Sequence, residues 1–255
     1  MRQVHHVSMN EIYTDGNNVE TTERYTRYLT PEQPLKFDAN KWRYHYMPDV
    51  LTFKGDMLHQ QQQHRNQNSQ HLNFEFPVDV RPSSDMLRML RENGFELGCV
   101  EMYAIEGTEL AQLTEKEVVL KQISVAQIED YFKIFNELSA SYGQAYIEEA
   151  NHHIQNEIAH GQGQLEYYVA YDGHCPVGIL NLIQGEQTLE LDGFAVHTDY
   201  QRKGYGTRIQ AQVGKLAGKR TVVLVADSED TAKEMYIKQG YTYLHYRYSA
   251  LLELK

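Results

Sequence analysis

The sequence predicts an α/β (α+β) chain in two parts. A smaller α+β domain is expected over residues 1–112, and a larger domain over 113–255 built on a mostly antiparallel sheet with helices around it. Three observations carry this expectation. Short apolar runs of strand length interleave with runs of helical period throughout the second half. Turn signals join three consecutive strand-like runs, which makes that stretch antiparallel. Glycines follow the helical runs, where a left-handed cap can end a helix.

The elements follow in chain order. The N-terminal stretch is rich in tyrosine and histidine and shows no clear period. Residues 41–53 hold Trp42, Tyr44, Tyr46, Val50, Leu51 and Phe53 around Pro48, which suggests two short strands. The polar, glutamine-rich run from His59 to Gln70 suggests an exposed loop or an irregular helix end. From Leu72 the pattern sharpens. Leu72, Phe74 and Phe76 alternate as in a strand, Pro82 and Ser83 open a helix, Asn93-Gly94 ends it, and Phe95, Leu97 and Val100 begin another strand.

Residues 118–123 read as a strand, and Ser124 with Gln127 fits a capping box. Ile128, Tyr131, Phe132, Phe135 and Leu138 then recur at helical spacing, and residues 146–158 give a second helix ended by Gly161. Strands are expected at 165–170, 177–183 and 189–196, with Asp172-Gly173 as the first turn. After a glycine turn, Ile209, Val213 and Leu216 share one helical face up to Gly218. Residues 222–225 form a strand, 231–239 a short helix capped by Gly240, and Tyr241 to Leu254 a final strand region. From about residue 117 the order is β-α-α-β-β-β-α-β-α-β.

Composition excludes several classes of function. Hydrophobic residues make up 41% of the 255 and charged residues 23%, as in ordinary globular proteins. No apolar run reaches the length of a membrane span, and the first residues lack the apolar core of a signal peptide. A cytoplasmic protein without a membrane partner is expected. The two cysteines, Cys99 and Cys175, are read as free thiols in a reducing compartment, with a disulfide between them as the alternative. A net charge of −11 argues against a nucleic-acid partner. His152, His153 and His160 lie near one helix but point apart, and no carboxylate or cysteine completes a standard metal set. These histidines, His5-His6 and the His59–His64 stretch are read as surface features, and no metal is expected.

Gln201-Arg202-Lys203-Gly204-Tyr205-Gly206-Thr207 carries the most chemistry. A strand pattern precedes it and an amphipathic helix pattern follows. A strand that turns through glycines into a helix leaves backbone N–H groups exposed at the positive end of that helix, which suits a pyrophosphate. A dinucleotide fold would need three glycines after the first strand of a βαβ unit, and a Walker loop would need Gly-Lys-Ser or Gly-Lys-Thr. Neither pattern is present.

The order of elements and two spaced motifs resemble the GNAT superfamily of acetyl-CoA-dependent N-acetyltransferases. Gln201, Gly204 and Gly206 match that family's phosphate loop, Val196 stands five residues before it, and Ala232, Tyr236, Gly240 and Tyr241 match its downstream motif. The resemblance covers about residues 117–255. It implies a GNAT-like mixed, twisted sheet flanked by helices, and transfer of the acetyl group of acetyl-CoA to a primary amine by direct attack in a ternary complex. The acceptor would be a small molecule or a peptide. By the same resemblance, Arg202 to Thr207, including Lys203 and Tyr205, hold the CoA pyrophosphate. The strand end Phe194-Ala195-Val196 pairs with the pantetheine, Tyr236 is a general acid or a packing residue, and Glu190 or Asp192 is the base unless both are solvated or paired. The family often has Asn where this chain has Glu229. A module that binds or senses acetyl-CoA without catalysis fits the same motifs.

A shift of 146 residues lays Met89-Leu90 and Asn93-Gly94-Phe95 on Met235-Tyr236 and Gln239-Gly240-Tyr241, and Phe76 on Val222. The first half therefore reads either as a degenerate GNAT-like lobe without a cofactor site or as a chance match of common units. In either case it can supply a wall of the acceptor site or a subunit interface, as in a homodimer.

Overall fold

The computed structural model describes residues 7–160, 163–229 and 232–254. Contacts divide the chain into two compact units. Among the described residues, the N-terminal unit comprises 8–101, 227–229 and 245–254, and the C-terminal unit comprises 7, 102–160, 163–226 and 232–244.

The N-terminal unit holds β1 (Asn17–Thr21), β2 (Tyr25–Leu29), β3 (Lys41–Tyr44), α1 (Val50–Asn66), β4 (His71–Glu75), α2 (Ser84–Glu92) and the start of β5 (Glu96–Glu106). β1 and β2 are antiparallel, β2 and β3 antiparallel, and β3 and β4 parallel. The C-terminal part of β11 (Thr242–Glu253) pairs antiparallel with β4, Ser249 opposite Glu75. An aromatic core of Trp42, Tyr44, Phe53, Phe74, Phe76 and Phe95 fills this unit. Tyr44 stacks parallel to Phe74, with ring centroids 6.0 Å apart.

Helix α1 replaces the second strand and the loop that the sequence suggested. Asp49 caps it by accepting the Thr52 N–H at 2.8 Å, directly after Pro48. Its buried face is Phe53, Asp56, Gln60 and His64, which recurs at helical spacing but is mostly polar. Each polar member is bonded. Asp56 accepts both Arg24 guanidinium nitrogens and the Tyr44 hydroxyl. Gln60 spans the Asn73 backbone, donating to its carbonyl at 2.9 Å and accepting its N–H at 3.0 Å. His64 Nδ1 donates to the His71 carbonyl at 2.7 Å, so His64 is a core residue rather than a surface one. Burial, with His71 close by, pulls the pKa of His64 down to about 4.

The C-terminal unit holds the end of β5, α3 (Gly107–Leu110), β6 (Val119–Gln122), α4 (Ile128–Leu138), α5 (Gln144–His160), β7 (Glu166–Asp172), β8 (Cys175–Gln184), β9 (Thr188–Val196), α6 (Tyr205–Ala217), β10 (Thr221–Asp227), α7 (Ala232–Lys238) and the start of β11. Strands run in the order β10-β9-β8-β7-β6. β6, β7, β8 and β9 pair antiparallel in succession, and β10 joins β9 in parallel. This is the mixed, mostly antiparallel sheet that the sequence predicts. Two apolar clusters cover its faces. One joins Leu180, Leu182, Leu189 and Leu191 to Ile209 and Val213 of α6 and Tyr236 of α7. The other joins Val169 and Ile179 to Ile128, Tyr131 and Ile134 of α4 and Ile154 of α5. Half of the capping box forms: Gln127 Oε1 accepts the Ser124 N–H, but the Ser124 hydroxyl donates to that same oxygen and the Gln127 N–H bonds the Ser124 carbonyl, in a 3-10 turn over Val125–Gln127 that precedes α4. Gly161, read as the end of α5, lies outside the described residues. Among the described residues no helix is long and apolar enough to cross a membrane.

Candidate active site

The glycine turn is built as the residue types demand. After β9, a 3-10 turn over Thr198–Tyr200 leads to Gln201, whose side-chain amide donates to the Val196 carbonyl at 3.1 Å and ties the turn to the strand end. Arg202 has φ +58° and Gly204 φ +83°. Nothing crowds a Cβ at Gly204, so it is the left-handed backbone that asks for glycine there. Gly204 is the N-cap of α6 and gives it no side-chain acceptor. The first-turn N–H groups are thus left without a side-chain cap, at the positive end of a thirteen-residue helix.

At Gly206 an added Cβ would meet its neighbours only at ordinary contact distance. A Cβ there would stand 3.7 Å from Met235 Sδ and Phe194 Cζ and 3.8 Å from Val196 Cγ2. The helix start, the β9 end and α7 therefore meet at this glycine, and Gln239 Nε2 adds a 3.3 Å bond to Thr207 Oγ1. Around the turn, Lys203 Nζ donates to the Asp199 carbonyl at 2.7 Å. The Tyr205 hydroxyl donates to Asp172 at 2.5 Å, and the Arg208 guanidinium lies over the Tyr205 ring.

β9 carries two further features. Its parallel ladder with β10 covers only Thr188–Glu190 against Thr221–Val223, although the strands continue to Val196 and Asp227. On its other side, the register with β8 slips between Asn181↔Asp192 and Ile179↔Ala195. This is a β-bulge, centred on Gly193 at φ +52°. The bulge reverses the alternation of faces. Leu189 and Leu191 point to the α6 side, but past the bulge Phe194 and Val196 take that side and Ala195 turns to the α4 side.

Glu190 and Asp192 alternate with the two buried leucines, so both project toward the α4–α5 side. Asp192 is exposed and Glu190 half-buried. Asn181 Nδ2 donates to Asp192 Oδ2 at 3.4 Å, and the buried Tyr131 hydroxyl donates to Asn181 Oδ1 at 2.9 Å. Sequence reading missed Asn181, Tyr131 and Gly193 as members of this group. Only Gly193, a glycine inside a strand pattern, gave a signal, since such glycines mark bulges or close backbone approach.

Tyr236 sits on the opposite side, in the α6–α7 cluster with Phe194, Val196 and Tyr205. It is 7% exposed, and its ring lies 6.1 Å from that of Tyr103 and 5.5 Å from that of Tyr241. The Tyr241 hydroxyl donates to the buried Gln210 at 2.9 Å. The structure thus gathers Phe194, Val196, Gly206 and Tyr236 on one face and sets Glu190 and Asp192 on the other. Among the described residues, no group of three His, Cys, Asp or Glu could hold a metal ion.

Comparison with known proteins agrees with this geometry. Residues 163–243 match the acetyltransferase (GNAT) domain, and residues 7–103 match a domain of unknown function (DUF5613). Among solved structures, a functionally unknown conserved protein from Staphylococcus epidermidis is 37% identical, with a TM-score of 0.91, over 98% of this chain and 99% of that one. A GCN5-related N-acetyltransferase from Kribbella flavida matches 92% of this chain and 89% of its own, with a TM-score of 0.59 at 14% identity. One from Sphaerobacter thermophilus matches 90% and 76%, with a TM-score of 0.53 at 13% identity. At such identities the last two show a shared fold alone. No protein of curated function matches the chain. The chain belongs to one family with the Staphylococcus epidermidis protein, and its own residues 163–243 carry a GNAT acetyltransferase domain.

Proposed function

We propose that this chain is an acetyl-CoA-dependent N-acetyltransferase that acts on a primary amine by direct attack. The observation that carries the reading is the parting of β9 from β10 beside an uncapped helix N-terminus. A ligand with an anionic diphosphate and an extended amide-bearing arm suits those two features together. The α6 N–H groups and the space kept by Gly206 would hold the diphosphate, and the unladdered β9 backbone would bond the arm. Arg202 and Lys203 add positive charge beside the turn.

The chemistry follows from the two faces. A carboxylate on the α4–α5 side, Asp192 or Glu190, accepts a proton from the acceptor ammonium. The amine nitrogen then bonds to the thioester carbonyl carbon. Backbone N–H groups near the bulge meet the oxygen as it becomes negative. As the carbonyl re-forms and the C–S bond breaks, Tyr236 would give the leaving sulfur its hydroxyl proton, and the proton shed by the new amide nitrogen would restore that hydroxyl through solvent. The parted strands supply the opening through which the two faces share one reacting centre.

A second reading, binding or sensing of acetyl-CoA without turnover, draws on the burial of Tyr236 among Tyr103 and Tyr241, which suits packing. Calorimetry with acetyl-CoA and release of free CoA over a panel of amines, polyamines and peptides separate the two. Binding with release supports the enzyme, binding alone supports the sensor, and absence of binding overturns both. Gly206→Trp should abolish acetyl-CoA binding, with melting followed alongside because its side chain would enter the contacts of Met235, Phe194 and Val196; retained affinity would sink the diphosphate assignment. Tyr236→Phe should lower turnover with little change in acetyl-CoA affinity, and unchanged turnover would remove Tyr236 from the mechanism.

A further inference from the structure

We infer that Asp192, rather than Glu190, is the proton acceptor, and that Asn181 is the positioning residue that holds it, with Tyr131 fixing the direction of the Asn181 amide. The inference rests on the acetyltransferase reading and chooses between its two carboxylates.

An amide has one donor end and one acceptor end. The acceptor end of Asn181 takes the Tyr131 hydroxyl at 2.9 Å. Its donor end then has to face Asp192, which it reaches at 3.4 Å, and the Cα of Gly193. The opposite orientation would set the Asn181 oxygen against the Asp192 carboxylate, two acceptors without a proton between them. Tyr131 keeps the choice fixed, since burial and then the charge of Asp192 push its pKa well above that of an ordinary phenol, so it stays a donor. Tyr131 and Asn181 are themselves buried, at 2% and 8% exposure.

The bulge completes the arrangement. A Cβ on residue 193 would lie 2.5 Å from Asn181 Nδ2, so a glycine is what lets the amide lie against β9 at Asp192. Asp192 is thereby the last residue before the alternation reverses, beside the stretch of β9 without a parallel partner. Glu190 is still inside the parallel ladder, opposite Val223. The ionisable groups beside this relay include Glu190, two positions before Asp192 on β9, Tyr146 on α5, which acts on the Tyr131 hydroxyl, and Tyr167 on β7, which packs on Tyr131 and bonds Glu157.

The test reads the Asp192 carboxyl in two ways. First, its pKa is followed by carbon NMR in the full chain without substrate. Asn181→Ala removes the donor to the charged form and should raise that pKa by about one unit, and Asn181→Asp should raise it further. Second, for an amine that releases CoA, the acidic limb of the kcat/KM profile should move up by the same amount. kcat at low pH should fall about tenfold, with the KM for acetyl-CoA within about twofold. Tyr131→Phe, which keeps the ring in the core, should move both readouts in the same direction by less. Asp192→Asn should remove the limb, and Glu190→Gln should leave it. An unmoved Asp192 pKa in a folded Asn181→Ala chain overturns the positioning role, and loss of the limb in Glu190→Gln overturns the choice of base. Failure of the wild type to release CoA with any amine strikes the acetyltransferase reading instead, while the NMR readout still judges the Asn181–Asp192 contact.

Discussion

Replacing Gly193 with alanine tests the bulge through two costs that the structure separates. The first is backbone. At φ +52° an L residue sits in the left-handed region, which costs roughly 1–2 kcal/mol. The second is contact. The new Cβ would lie 2.5 Å from Asn181 Nδ2 and 3.3 Å from its Cγ, so the amide must leave. Its departure strands the Tyr131 hydroxyl, which is buried, at roughly 1–3 kcal/mol. The expected loss is therefore about 2–5 kcal/mol, a large share of the roughly 5–15 kcal/mol that stabilises a domain. Urea unfolding followed by far-ultraviolet circular dichroism, compared at constant m, gives the value. A double-mutant cycle with Asn181→Ala removes the partner of the clash and should return the contact part, leaving about 1–2 kcal/mol for the backbone. Gly193→Ala within about 0.5 kcal/mol of wild type, a surface-like effect, would refute the bulge geometry. A cycle without coupling would refute the amide contact as its cause.

Three further outcomes follow from the packing. His64 is neutral in the fold, with a pKa of about 4 against an ordinary ~6.5, so the unfolded chain binds the extra proton between those values. Its stabilisation is complete above about pH 6.5 and falls by about 3 kcal/mol as the pH drops toward 4. Fluorescence of Trp42, the single tryptophan, should show that slope during urea unfolding, and His64→Gln should flatten it; an unchanged slope counts against the buried histidine. Asp49→Ala should cost about 1 kcal/mol by removing the α1 cap, seen with the same probe, and a neutral result would mean the cap does not form. Gly214→Ala would put a Cβ 2.3 Å from the Ala111 backbone nitrogen and 2.7 Å from the Gly107 carbonyl, and neither is a side chain that can yield. It should cost about 3 kcal/mol or more in chemical unfolding, and a stable, unshifted variant would contradict the α3–α6 packing.

Most of the C-terminal unit was legible because its elements obey local rules. The β9 turn and the α6 and α7 ends depend on residues whose backbone preferences are visible in isolation, and Gly204, Gly218 and Gly240 all take positive φ. The apolar alternation of β9 likewise gave the face of Glu190 and Asp192. Helix α1 was not legible because its buried stripe is Asp56, Gln60 and His64, whose partners Arg24, Tyr44, Asn73 and His71 lie on other elements. A hydrophobic period cannot register a face that is buried by hydrogen bonding. The Asn181 relay was hidden for a related reason. Tyr131 reads as one more residue of an apolar helix stripe and Asn181 as a lone polar residue in a strand. Fifty positions separate them, and no spacing rule links them.

The shift by 146 residues bears on how Tyr236 can be judged. α2 and α7 end alike: Asn93 and Gln239 donate to the carbonyls of Met89 and Leu90 and of Met235 and Tyr236, and Gly94 and Gly240 follow with φ +79° and +97°. Phe95 and Tyr241 then donate to the carbonyls of Leu90 and Tyr236, and β5 and β11 begin at Glu96 and Thr242, the same shift apart. The match stops at the preceding strand, since Phe76 lies beyond the end of β4 while Val222 is inside β10. Within the matched part, the place of Tyr236 is taken in the N-terminal unit by Leu90, 2% exposed. This helix end therefore closes over a buried apolar side chain that has no hydroxyl. A phenylalanine at 236 keeps the ring among Tyr103 and Tyr241 and removes only the oxygen, so the cap should form as it does over Leu90. A fall in turnover in Tyr236→Phe, with melting and acetyl-CoA affinity preserved, then belongs to the hydroxyl and its proton rather than to the packing of α7.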